Sequence, residues 1–132
     1  MNRIKVILLV GKDEFTKMMF NGIKDQFNII KVIIEEPISK KILLKRRVKR
    51  IGLITVIGQT FFMLYNKLWL KKKSIKRISE IKKELSLNDT NIDESIISEV
   101  NSINDEETRR LLSKFQADVV VVNGTRIIKK EI

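Results

Sequence analysis

The chain has 132 residues, with 27 Lys or Arg against 16 Asp or Glu and neither histidine nor cysteine. That length suits one domain able to bury about two-thirds of the surface its unfolded chain exposes. Without cysteine there is no disulfide framework or thiolate metal site; without histidine as well, only carboxylate or carbonyl oxygens remain for a hard cation, and no imidazole can activate a serine or threonine. A cytoplasmic address fits this composition.

After Met1-Asn2-Arg3, the run Ile4-Lys5-Val6-Ile7-Leu8-Leu9-Val10 predicts a first strand over residues 3 to 10. Lys5 interrupts it and no small-residue cleavage site follows, so it does not read as a secretory signal. Gly11 supplies the turn. With Lys12 beside it, Gly11 is also a candidate substrate contact, able to cradle a phosphate at the next helix N-terminus, although a plain strand-to-helix turn explains it equally. The G-x-G-x-x-G fingerprint is absent, which disfavours a dinucleotide cofactor. Phe15, Met18, Met19 and Ile23 follow at helical spacing, predicting an amphipathic helix over 14 to 26 with Asp13 as its N-cap. Ile29 to Ile34 predict a second strand, closed by Glu35-Glu36-Pro37. The order is that of a βαβ unit.

The charge is concentrated in the next segment. From Pro37 to Ser79 no acidic residue occurs, while Lys40, Lys41, Lys45, Arg46, Arg47, Lys49, Arg50, Lys67, Lys71, Lys72, Lys73, Lys76 and Arg77 do. Residues 39 to 51 place Leu44, Val48 and Ile51 on one side of a basic helix. Residues 52 to 70 form a helix that is apolar over most of its circumference. Leu53, Ile57, Phe61, Leu64 and Leu68 share one face, Ile54, Phe62, Tyr65 and Trp69 widen it, and Thr55, Gln59 and Asn66 make a narrow polar stripe. Three readings are open: a helix buried against the sheet or a partner subunit, a helix lying in an anionic membrane interface, or a true span, for which sixteen consecutive uncharged residues are short. The basic run also admits RNA as a partner.

Ser86 to Ser95 read as a loop, and Ser98 to Ile103 as a short third strand. Asn104-Asp105-Glu106-Glu107 has the form of a capping box, and Leu111, Leu112 and Phe115 give the helix that follows its buried side. The acidic residues here suit a helix first turn and form no convincing catalytic pair. Asp118-Val119-Val120-Val121-Val122-Asn123 then predicts a strand buried on both faces, the mark of a parallel sheet covered by helices.

That last strand with its exit, Asn123-Gly124-Thr125-Arg126-Ile127-Ile128, together with the Ile4–Gly11, Phe15 and Ile29–Pro37 pieces, resembles the N-terminal half of the formyltransferases that use 10-formyltetrahydrofolate. The resemblance implies a Rossmann-like α/β fold, with a partial parallel sheet of about four strands, flanking helices and a basic and apolar helical insertion over about 39–85. It implies that Thr125, Arg126, Ile127 and Ile128 receive the pterin end of 10-formyltetrahydrofolate through backbone groups, and that the formyl group passes to an amine on a nucleotide-linked sugar or on a tRNA. The family's catalytic Asn and His stand two residues apart; Asn123 is not that Asn, because Thr125 occupies the histidine position. The catalytic segment would lie beyond Ile132, so residues 1–132 are expected to be one truncated domain, inactive alone, whose open sheet edge favours a homodimer. The contrasting expectation is a non-enzymatic basic module that binds an anionic membrane surface or RNA through residues 40–77, placing the protein at the membrane periphery.

Overall fold

The β-branched and leucine-rich runs become four strands, β1 (Lys5–Gly11), β2 (Asn28–Glu35), β3 (Ile97–Val100) and β4 (Val119–Asn123), in a computed structural model that describes residues 3–132. Met1 and Asn2, read as the approach to the first strand, lie outside the described residues. All pairings are parallel and the order is β3-β2-β1-β4. Helix α1 (Glu14–Ile23) connects β1 to β2, and residues 38–87 lie between β2 and β3. Past the β3 exit, α5 (Glu106–Phe115) carries the chain from one edge of the sheet to the other. The result is an α/β fold with a four-stranded parallel sheet.

Strand β1 runs through the centre, and its residues 6 to 10 are at most 3% exposed. Alternate side chains supply two cores. Val6, Leu8 and Val10 pack with Phe20, Val32 and Ile92, while Ile7 and Leu9 pack with Ile33 and Val100 against Leu111, Leu112 and Phe115 of α5. Both faces of the middle strands are therefore covered, as a parallel sheet requires. An irregularity between Val6 and Ile7 shifts the β1–β2 register by one residue.

Three sequence expectations need correction. Val119, Val120 and Val122 of β4 are 44%, 42% and 45% exposed. The strand does lie beside β1, but at the sheet margin, and only Val121 packs against a core cluster. Phe15, in the first turn of α1, is also exposed, whereas the expected Met18 is buried and Met19 and Ile23 pack against the first core, with Thr16 and Phe20 buried besides. The cap of α5 falls at Asp105 rather than Asn104, whose side chain is used elsewhere.

Residues 38–87 form a second compact unit. Helix α2 (Lys40–Ile51) ends at Gly52, whose φ of 84° and ψ of 158° turn the chain into α3 (Leu53–Tyr65). A π-helical turn, Asn66–Leu70, joins α3 to α4 (Lys71–Glu84) without leaving the right-handed helical region. Within this unit, α3 buries only Val56. No helix among the described residues is long and apolar enough to cross a membrane, which removes the spanning reading.

Candidate functional site at the carboxyl end of the sheet

The strand order reverses direction between β1 and β4: β2 and β3 extend from one side of β1, and β4 returns to the other. In open parallel sheets, ligands bind outside the carboxyl ends of the strands at such a switch point. Here the two chain exits are Gly11-Lys12-Asp13 and Asn123-Gly124-Thr125. They touch through main chain. A Cβ on Gly11 would stand 2.5 Å from the Gly124 carbonyl oxygen, so only glycine fits there.

Sequence proximity does not bring the next group together; the sheet does. Glu35, at the end of β2 and only 5% exposed, accepts through Oε1 from the Ile103 N–H at 2.9 Å and through Oε2 from the Arg126 N–H at 2.8 Å. The Arg126 Nε lies 3.4 Å from Glu35 Oε1, and its Nη2 donates to the Glu36 carbonyl at 3.1 Å. One buried carboxyl group thus fastens the β3 exit and the β4 exit to β2. Asn104 completes the fastening, donating to the Ile127 carbonyl at 3.0 Å and accepting from the Lys129 N–H at 2.7 Å. Neither Glu35, read as a strand end, nor Asn104, read as a helix cap, stands out in the sequence as part of a site. The cue for Glu35 is that a carboxylate closes an otherwise apolar strand, where a buried partner is needed.

The four residues expected at the folate site lie together along this exit. The Thr125 hydroxyl donates to the Arg126 carbonyl at 3.1 Å, Arg126 is held by Glu35, Ile127 is 92% exposed, and Ile128 is 36% exposed. Among the described residues, the N–H groups of Ile127 and Ile128 have no protein partner. The segment is therefore anchored by some backbone groups while others remain available for hydrogen bonding.

Gly11 and Lys12 lie at the opposite lip of the switch point. The Lys12 Nζ donates to Glu36 Oε1 at 2.7 Å and Glu99 Oε1 at 3.0 Å. Those two bonds, Glu36 first, hold the ammonium above its ordinary value. Asp13 Oδ1 accepts from the Thr16 N–H at 2.9 Å, capping α1 with a carboxylate of the chain's own, and the Thr16 hydroxyl donates to the Gly11 carbonyl at 2.7 Å. Beside these residues a cleft of about 270 Å³ is lined by Gly11, Lys12, Asp13, Ile34, Asn91 and Glu94, among others. No group of three acidic side chains among the described residues is placed to hold a metal ion.

The chain was compared with family models, with curated proteins and with solved structures, and none of them matches it.

Proposed function

We propose that this chain carries the donor-binding half of a formyltransferase that moves the formyl group of 10-formyltetrahydrofolate to an amine, on a nucleotide-linked sugar in the first instance and on a tRNA-linked amino group as the alternative. The observation that carries the reading is the placement of Thr125-Arg126-Ile127-Ile128. This segment leaves β4 beside the Gly11 turn, at the strand-order reversal, with Ile127 and Ile128 N–H groups that no described residue occupies. A pterin presents a flat edge of alternating donors and acceptors, and a short extended backbone segment is complementary to such an edge. The anchors at Glu35 and Asn104 hold that segment before any ligand arrives, which lowers the ordering cost of binding. With no histidine in the sequence, the proton-handling role that the resemblance gives to histidine has no occupant here, so the chain is assigned binding rather than chemistry.

The test is an amide-resolved titration of the chain with 5-formyltetrahydrofolate, a chemically stable relative of the donor. Shifts centred on Thr125 to Ile128 and on Gly11 support the reading. No shifts, or shifts at Asn91 and Glu94 with none at Thr125 to Ile128, overturn it.

A further inference from the structure

The unit formed by residues 38–87 has a surface that the donor-binding reading does not use. In α3, Ile54 is 87% exposed and Phe62 is 64% exposed; Tyr65 stacks on Trp69 with ring centroids 6.4 Å apart. The spacing of 54, 58, 62, 65 and 69 is that of one helical stripe. It lies apart from the side of α3 that meets α2, where Val56 is buried and a groove of about 400 Å³ is lined by Leu44, Val48, Leu53 and Ile57, among others. The apolar stripe therefore belongs to no packing within its own unit.

Its charge setting distinguishes the possible occupants. Helix α2 contributes seven exposed cations, and the stretch from Lys67 through Lys76 adds five more; no acidic residue lies between Pro37 and Ser79. Acidic partners for the helix begin only with Glu80 and Glu84, both taken by Arg77. A second copy of the chain would bring the same cations face to face and be repelled. A phosphate backbone would satisfy the cations but leave Ile54, Phe62 and Trp69 in water. A partner with an anionic outer layer and an apolar interior directly beneath it satisfies both, and that is the description of a lipid leaflet. Tyr65 and Trp69, next to Lys67 and Lys71, have the amphipathic rings that sit at headgroup depth.

We propose that residues 40–77 are a docking surface for an anionic lipid bilayer, with α3 lying in the plane of the interface, its Ile54–Trp69 stripe among the upper acyl chains, and the cations of α2 and of Lys67–Lys76 on the headgroups. The helix lies on the membrane and does not cross it. The proposal is independent of the donor-binding reading, since no residue is shared.

Trp69 is the sole tryptophan and is 64% exposed, so it reports directly. The full chain is mixed with vesicles of phosphatidylcholine alone or with added phosphatidylglycerol, and Trp69 emission and its quenching by lipids brominated on the acyl chain are followed. Expected are a blue shift and quenching with anionic vesicles, partitioning more than about tenfold weaker on neutral ones, and loss of the difference at high salt. Ile54→Ser with Phe62→Ser, both exposed sites, is expected to abolish quenching with an unchanged far-ultraviolet dichroism spectrum. Lys71→Glu with Lys73→Glu is expected to weaken anionic binding by about tenfold or more. Four results overturn the proposal: equal binding to neutral and anionic vesicles, quenching unchanged by the Ile54/Phe62 pair, a lipid-independent blue shift that grows with protein concentration, or binding to single-stranded RNA without binding to vesicles.

Discussion

Glu35 is the residue on which the carboxyl end of the sheet depends. Its two oxygens take two backbone N–H groups from separate segments and face the Arg126 guanidinium from a nearly closed position. Truncation to alanine strands both donors and leaves the guanidinium with the Glu36 carbonyl but without its carboxylate. Glu35→Ala is therefore expected to cost about 3 kcal/mol in denaturant unfolding, and Glu35→Gln, which keeps one acceptor, less. The Lys12 ammonium works in the open, between Glu36 and Glu99. Its proton affinity is raised from 10.5 by those carboxylates, so its contribution is complete below that pH and fades as alkali carries the solution through the higher folded value. A resonance titration of the Lys12 ε-methylene should place its midpoint above the ordinary lysine value.

At the scale of elements, the corner between α2 and α3 rests on a backbone geometry open essentially to glycine. With φ at 84° and ψ at 158°, Gly52→Ala is expected to destabilise the helical unit by about 1–3 kcal/mol, read as an earlier loss of helical dichroism on heating. Most elements were legible from pattern alone. The first two strands, the helix between them and the basic and apolar helices follow from periodicity, because in each the apolar spacing and the turn residues agree. The valine strand was legible as a strand, yet its burial was not. Four consecutive valines specify extended backbone, whereas burial depends on how many neighbours the strand has, and that is a property of order in the sheet. Asn104 misled for a related reason: the capping pattern is local, but its amide is claimed by Ile127 and Lys129, which lie over twenty residues away. The exit residues 125–128 were readable as a unit, while Glu35, which holds them, becomes visible only when β2 and β4 are placed on either side of β1.

For the whole molecule, the consequence of that strand order is an edge that no described residue pairs. Strand β4 is bonded to β1 on one side, and the other side presents main chain flanked by half-exposed valines, a template for pairing with another strand. Sedimentation velocity over a range of concentrations is expected to show reversible self-association. Val120→Lys, at a position 42% exposed, should reduce it and leave unfolding within about 0.5 kcal/mol of the parent chain. The same chain then offers two distinct surfaces, a strand edge that selects by hydrogen bonding and a helical face that selects by charge and oiliness, each assayed without disturbing the other.

The meeting of Gly11 with Gly124 bears on how this fold can vary over evolutionary time. Where two side chains collide, a shrinking change in one can rescue an enlarging change in the other; here the obstacle to Gly11→Ala is a carbonyl oxygen, which no substitution at position 124 can trim. Suppressors of Gly11→Ala, selected on recovered solubility, are therefore expected to fall outside position 124, as changes that let one of the two exits swing aside. The lip of the switch point is in this sense a fixed gauge, and adaptation to new ligands has to proceed around it.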